Sequence, residues 1–181
     1  MTDTRAPRDP VSFVPADFFT PDGGANWAEK LWLTVPGPFY TGETDTGWTG
    51  RTFAPRHVLY GGEYDTEFVY RQPKTRAEVE RLLGAAGFEP LGGYSGDGDS
   101  RWTPDAVRAW WDQRGRVEEH VLALLAVWTT ESARQVVAEA AEGARDFLAY
   151  LAGDLEADLR AYVFRLEQGR YPDVGERLPE L

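Results

Sequence analysis

The stretch VLYGGEYDTEFVYRQPKTRAEVERLL, residues 58–83, carries most of the information about fold class, because it passes from strand signals to helix signals. Two runs rich in apolar and aromatic residues, 58–60 and 67–70, are separated by a segment rich in glycine and aspartate. This pattern predicts an antiparallel hairpin. Thr75 and Glu78 then have the spacing of a capping box, in which each side chain satisfies a backbone donor of the first helical turn. A hairpin followed by a helix is therefore expected.

Strands and loops are predicted over residues 28–73, which include the hairpin. Leucine and valine alternate with other residues through 31–35, and this two-residue period is typical of a strand. A loop rich in glycine and threonine follows at 41–56, with Trp48 at its centre. Residues 1–12 are rich in proline and charge, and we expect them to be flexible.

The rest of the chain, residues 75–169, is predicted to be mainly helical, because apolar residues recur there at intervals of three and four. Phe147 and Leu148 belong to the longest of these apolar stripes, and we expect them in the core. The boundary signals are a cap at Thr103 followed by Pro104, a stop at Gly115 and a cap at Thr129 or Thr130. Gly153 indicates either a break or a bend, of which we favour a break.

Strands that precede helices in this way predict an α+β protein rather than alternating β/α units. We expect one domain, residues 1–181, in which a small antiparallel sheet from the N-terminal half packs against a mainly helical C-terminal half. The length of 181 residues suits a single domain with a substantial core.

The composition excludes several kinds of chemistry. The chain has no cysteine, which removes disulfides, thiol nucleophiles and thiolate metal sites. Its formal net charge is -11, and Lys30 and Lys74 are the only lysines, so we expect no nucleic-acid binding. Neither a signal peptide nor an apolar run long enough to cross a bilayer is evident, and we expect a cytoplasmic protein without membrane binding. Because histidines are also few, we expect no metal and no cofactor.

Two motifs in the second glycine-rich loop match catalytic or metal-binding patterns only in part. Residues 93–97, GYSGD, place a serine after a glycine, but the last position of a nucleophile elbow should be glycine and a helix should follow at once. Residues 97–99, DGD, begin like a calcium loop, yet Trp102 and Arg108 stand where an EF-hand needs glycine and glutamate. An irregular cation site with Asp105 stays open, and we assign no catalytic residue.

His57 supports an alternative function. It precedes a predicted strand and lies close in sequence to Glu63, Asp65 and Glu67. A histidine beside carboxylates could serve acid–base chemistry or hold a metal, although no metal-ligand spacing such as HExxH is present. The alternative is therefore an enzyme or small-ligand-binding protein with a loop pocket near His57.

The loops and the hairpin combine aromatic and acidic residues, which is typical of a surface that binds a basic protein. The opposing interpretation is that the rings cover the sheet and the acids only face water. We predict that the partner-binding residues are Trp48, Tyr64, Asp65, Glu67, Asp97, Asp99 and Trp102.

In size, acidity and lack of cysteine the chain is similar to bacterial immunity proteins, which neutralise a toxin in the cytoplasm. No motif carries this resemblance. It implies a protein-binding module, an immunity or antitoxin-like inhibitor that occludes a basic partner protein. A further alternative is a scaffold protein with a helical oligomer interface, and the sequence leaves the oligomeric state and the partner's identity open.

Overall fold

The computed structural model describes residues 9–19, 27–131 and 133–181. The helices are α1 (Gly50–Phe53), α2 (Arg76–Phe88), α3 (Pro104–Asp112), α4 (Arg114–Thr130), α5 (Gln135–Ala152) and α6 (Leu155–Gln168). The strands are β1 (Tyr40–Thr41), β2 (Val58–Gly61), β3 (Thr66–Val69) and β4 (Tyr94–Ser95). Strands lie mainly in the N-terminal half and long helices in the C-terminal half, so the predicted α+β class is confirmed.

Strands β2 and β3 form the predicted antiparallel hairpin, with Leu59 opposite Phe68 and Tyr60 opposite Glu67. The connection turns through Asp65, whose φ of 53° is left-handed, a conformation that aspartate tolerates better than most residues. The hairpin is buried on both faces, which explains why 58–60 is a continuous apolar run rather than an alternating one.

The strand predicted at 31–35 is wrong. The backbone there makes a turn, in which the Thr34 N–H donates to the Leu31 carbonyl at 3.0 Å, and Val35 N–H donates to the Val69 carbonyl at 3.0 Å. Leu33, Thr34 and Val35 are all buried. The alternation in sequence therefore does not separate a core face from a solvent face. The second antiparallel pair among the described residues is formed instead by β1 and β4.

Two of the predicted helix starts are confirmed. Thr75 and Glu78 form the capping box that begins α2. The Thr103 hydroxyl accepts from the Ala106 N–H at the start of α3, and Pro104 occupies the first turn. The predicted break at Gly153 is also present, since α5 ends at Ala152 and α6 begins at Leu155.

Two other boundary predictions are wrong. Gly115 does not end a helix, because α3 already stops at Asp112 and Gly115 lies in the first turn of α4. Thr129 and Thr130 end α4 instead of capping α5. Their hydroxyls donate to carbonyls of α4 at 2.7 Å, a bond that a helical threonine makes to the preceding turn, and Arg134 is the N-cap of α5.

Apolar side chains form two buried clusters on either side of the hairpin. In the larger cluster, Phe68 and Tyr70 pack against Phe147 of α5, which is fully buried as predicted. In the smaller cluster, Val58 and Val69 pack with residues of α2. The hairpin therefore links α2 to the C-terminal helices.

The described part of the segment expected to be flexible is residues 9–12. Pro10–Phe13 is a 3₁₀ helix, and Asp9 forms an ion pair with Arg165 at 2.9 Å. Residues 1–8 lie outside the described residues. In the part of the chain that the structure describes, no helix combines the length and the apolar character needed to cross a membrane.

Candidate functional site

The loop between β1 and α1 is held in place by the buried carboxylate of Glu67. The Gly50 N–H donates to Glu67 Oε1 at 2.6 Å, and the Tyr94 hydroxyl donates to Oε2 at 2.5 Å. The backbone of Glu67 also bonds to the hydroxyls of Thr41 and Thr44, at 2.6 and 2.8 Å. Glu67 is 0% exposed, so its predicted place on an accessible surface is wrong. Its hydrogen-bond donors come from distant parts of the chain, which is how the fold accommodates a carboxylate there.

Burial raises the pKa of Glu67, and the hydrogen bonds from Tyr94 and Gly50 oppose that rise only in part. Burial also raises the pKa of Tyr94 well above its ordinary value, and the neighbouring Glu67 carboxylate adds to the effect. Tyr94 therefore stays protonated and donates its hydrogen bond throughout the neutral pH range.

A second buried carboxylate, Glu89, holds the same loop. It accepts hydrogen bonds from the Asp45 N–H at 3.0 Å and from the Gly93 N–H at 2.7 Å. Glu89 directly follows the last residue of α2, and its side chain connects the loop to the segment before β4. Because Glu89 holds the loop at Asp45 and Glu67 holds it at Gly50, on either side of Trp48, the loop presents Trp48 in one defined position.

Trp48 has a left-handed backbone, with φ of 57°, which is costly for a large side chain. Its ring stacks on Tyr60 with centroids 4.6 Å apart and planes 9° from parallel. The edge of Trp128 meets it at 5.5 Å. These contacts compensate for the backbone cost and leave the half-buried indole at the edge of a cleft.

Arg51 lies beside Trp48 in α1 and is only 8% exposed. Its Nη1 donates to the carbonyls of Pro55 at 2.6 Å and Val58 at 3.0 Å. Its Nε is enclosed without a hydrogen-bond acceptor among the described residues. The guanidinium rests on Gly143 of α5, where an added Cβ would come within 2.2 Å of Nη1.

Between this loop and the first half of α5 lies an open cleft of about 640 Å³. Trp48 and Arg51 line one side. The α5 side carries Glu139 and Glu142, which are three residues apart and therefore share a helix face. Glu139 accepts a hydrogen bond from Gln135 Nε2 at 2.8 Å. The cleft combines an aromatic ring, two carboxylates and one buried cation.

Three of the other predicted partner-binding residues take part in internal contacts. Asp97 accepts from the Tyr40 hydroxyl at 2.6 Å and pairs with Arg101 at 2.9 Å. Asp99 pairs with Arg165 at 3.1 Å, and burial raises its pKa. Trp102 is 8% exposed, so the prediction that it is accessible is wrong.

Trp102 is buried because it meets the edge of Trp27, with ring centroids 5.2 Å apart, and packs under Lys30. The Lys30 ammonium lies 4.7 Å from the Trp102 ring centroid. Burial lowers the pKa of Lys30 to about 8. These contacts belong to the wall of the larger core cluster and leave no accessible ring for a partner.

Tyr64 and Asp65 lie in the hairpin turn, away from the lining of the cleft. Tyr64 is 70% exposed and Asp65 is half-buried. The structure thus distributes the seven predicted residues over the hairpin turn, the core, partly exposed ion pairs and the cleft, and Trp48 is the one that lines the cleft.

His57, the residue of the enzyme alternative, borders a separate pocket of about 210 Å³ with Arg56, Glu78 and Arg81. Its Nδ1 is 2.9 Å from the Arg71 carbonyl, and burial lowers its pKa, so the ring is neutral near pH 7. The carboxylate in this pocket belongs to Glu78, not to the acids that neighbour His57 in sequence. Glu78 is already bound to the backbone N–H groups at the start of α2.

A third concavity, of about 220 Å³, is lined mainly by prolines and tyrosines. Several of its polar side chains are paired within the protein: Lys74 with Asp158 at 2.6 Å, Tyr150 with Asp158 at 2.7 Å, and Tyr162 with Asp99 at 3.0 Å. Within the described residues, no cluster of three or more histidine or acidic side chains is placed to hold a metal ion.

The residues that sequence analysis missed in the cleft are Arg51, Glu139 and Glu142. One signal was available, since Gly143 interrupts the apolar stripe of α5, and a glycine inside a helix often marks a close approach by another group. No protein-family model matches the chain, and no curated protein or solved structure is significantly similar to it. The fold and the cleft are therefore the basis for any functional assignment.

Proposed function

We propose that this protein is a protein-binding module that takes a basic segment of a partner protein into the cleft between Trp48 and α5. It would act as an immunity or antitoxin-like inhibitor by occluding a basic surface of the partner. The observation that carries the proposal is the pairing of a half-buried aromatic ring, Trp48, with two carboxylates, Glu139 and Glu142, across one open cleft. We place this activity in the cytoplasm, a compartment with which a cysteine-free chain is compatible.

The chemistry of the cleft suits an arginine or lysine side chain. An indole ring attracts a cation lying over its face, and this interaction is strongest for tryptophan. Carboxylates form charge-assisted hydrogen bonds with guanidinium and ammonium groups. Tryptophan is also among the residues that contribute most to protein interfaces. Trp48, Glu139 and Glu142 together therefore provide both an anchor and charge complementarity.

Two further properties support binding of this kind. The stacking of Trp48 on Tyr60 and the carboxylates under its loop hold the ring in place before a partner arrives, which reduces the entropy lost on association. The net charge of -11 would attract a basic partner from a distance and raise the rate of encounter.

The two alternatives have less specific support. In the pocket at His57, the carboxylate of Glu78 is already bound at the start of α2, and the imidazole is neutral. The scaffold alternative rests on Leu122 and Val127 of α4, which are 48% and 50% exposed. Single exposed apolar residues of this kind are common on monomeric proteins.

Charge reversal in the cleft tests the proposal. The tagged protein is used to recover its partner from the native host, in parallel with a variant carrying Glu139→Lys and Glu142→Lys. We expect a basic partner that binds the wild type and binds this variant at least about tenfold more weakly. The loss should be larger at low salt, where charge attraction is less screened.

The matched control carries Glu118→Lys and Glu119→Lys, two exposed positions near the start of α4. It changes the net charge by the same amount, but it lies at the far end of the α4–α5 pair from the cleft, since closely connected helices run antiparallel. We expect it to retain the partner, and both variants to keep the wild-type melting temperature. Equal weakening by the two variants would refute the cleft as the binding site.

A further inference from the structure

Arg51 is a buried cation that pairs with no carboxylate of the described residues. It forms none of the ion pairs found among the described residues, although it is only 8% exposed. Among the described residues, two carbonyls satisfy its Nη1, its Nε is enclosed without an acceptor, and its Nη2 is the donor that remains for a group in the cleft. A buried charge is costly unless it is paired. An arginine in this condition at the wall of a cleft suggests that an anionic group from outside completes its environment.

The structure also keeps this guanidinium in place. Any side chain at position 143 would overlap it, since a Cβ there would lie 2.5 Å from Arg51 Cζ. The same stretch of α5 carries Glu139 and Glu142. The cleft is therefore bipolar, with a fixed positive group at the foot of the loop and two negative groups along α5.

We infer that the cleft recognises a C-terminal arginine or lysine residue, whose α-carboxylate pairs with Arg51 and whose side chain lies between Trp48 and the carboxylates of Glu139 and Glu142. This inference rests on the proposed function and specifies its partner. An internal basic segment would match Glu139 and Glu142 but would leave Arg51 without an anionic partner. A C-terminal basic residue brings both charges, and its carboxylate can accept a charge-assisted hydrogen bond from the Nη2 of Arg51, the donor that the internal contacts leave. The volume of about 640 Å³ falls in the range of small-ligand sites.

Synthetic peptides test the inference on the intact protein. The probe is acetyl-Gly-Gly-Ser-Gly-Gly-Arg with a free carboxyl terminus, and the matched probe is the same peptide with a C-terminal amide. Binding is measured by isothermal titration calorimetry. We expect the free acid to bind the wild type with a Kd at least about tenfold lower than that of the amide, because only the acid can pair with Arg51.

Three further measurements sharpen the result. In the Arg51→Gln variant, the difference between acid and amide should disappear, and circular dichroism shows whether this variant folds. The acid–amide comparison on the wild type stands even if the variant does not fold. A free-acid peptide ending in leucine should bind at least about tenfold more weakly than the arginine peptide, since it lacks the cation. Free L-arginine, which carries an extra ammonium group, should bind more weakly than the peptide.

The outcomes separate this inference from the proposed function. Equal binding of acid and amide, abolished by Glu139→Lys and Glu142→Lys, would overturn the C-terminal assignment and leave the basic-segment proposal intact. Equal binding of the arginine and leucine acids would overturn the assignment, because the carboxylate alone would account for recognition. Tighter binding of free arginine than of the peptide would also overturn it, in favour of a small molecule. If none of the peptides or free arginine binds, but the variant with Glu139→Lys and Glu142→Lys still loses the cellular partner, the C-terminal assignment alone would be overturned.

Discussion

Replacing Glu67 with alanine is expected to lower the free energy of unfolding by about 2–4 kcal/mol. The substitution leaves the Gly50 N–H and the Tyr94 hydroxyl buried without acceptors, and each such group costs about 1–3 kcal/mol. Removal of a buried carboxylate offsets part of this cost, because burial disfavours its charged form. Urea denaturation followed by circular dichroism measures the change. We also expect weaker partner binding, since the loop that carries Trp48 loses its main attachment.

Glu67→Gln is the control for this prediction. It keeps an oxygen acceptor for the Gly50 N–H, and the Tyr94 hydroxyl can rotate to accept from the new amide. We expect a loss of about 1 kcal/mol or less. Equal losses for the alanine and glutamine variants would contradict this account, because glutamine keeps the volume and an oxygen acceptor; the cost would then arise from loss of the carboxylate itself.

We also expect the stability difference between the wild type and Glu67→Gln to depend on pH. Burial raises the pKa of Glu67 above its ordinary value of 4.5, so the folded protein holds this proton more tightly than the unfolded chain does. The stabilisation that this protonation provides is present below pH 4.5 and is lost as the pH rises towards the raised pKa. Because Glu67→Gln cannot titrate at this position, its stability relative to the wild type should increase over that range. Denaturation at a series of pH values tests this, and a change in the opposite direction would contradict the raised pKa.

Replacing Phe147 with alanine is expected to have the second large effect, a loss of about 3–5 kcal/mol in the free energy of unfolding. Its ring is fully buried and lies 5.2 Å from the ring of Tyr70 and 6.0 Å from that of Phe68, measured between centroids. Truncation removes the contacts of this ring with Tyr70 and Phe68 and leaves a cavity that close-packed neighbours fill only in part. Thermal and urea denaturation both report the change.

Two controls bracket this effect. Phe147→Leu keeps most of the apolar volume and should cost clearly less than the alanine variant. Arg145→Ala changes an exposed residue of the same helix and should change the stability by no more than about 0.5 kcal/mol. An unchanged melting temperature for Phe147→Ala would mean that the α5 stripe does not hold the hairpin, which would favour a role for the stripe in oligomerisation.

Local signals in the sequence were enough to determine several elements of this protein. The hairpin follows from two apolar runs joined by turn residues, and the starts of α2 and α3 follow from Thr75 with Glu78 and from Thr103 with Pro104. These features involve residues within a few positions of one another, whose backbone preferences hold in almost any surroundings. The apolar stripe that buries Phe147 was also predictable from local sequence, because apolar residues that recur at intervals of three and four over a long segment indicate an amphipathic helix.

The tertiary structure alone decided which charged residues are buried and where the cleft lies. Glu67 has the sequence context of an exposed acid in a hairpin, and its burial depends on Gly50 and Tyr94, which are 17 and 27 residues away. The approach of Arg51 to α5 likewise joins distant parts of the chain. A charged side chain can be buried only where the fold supplies its hydrogen-bond partners, and the positions of those partners depend on the packing of the whole chain rather than on neighbouring residues.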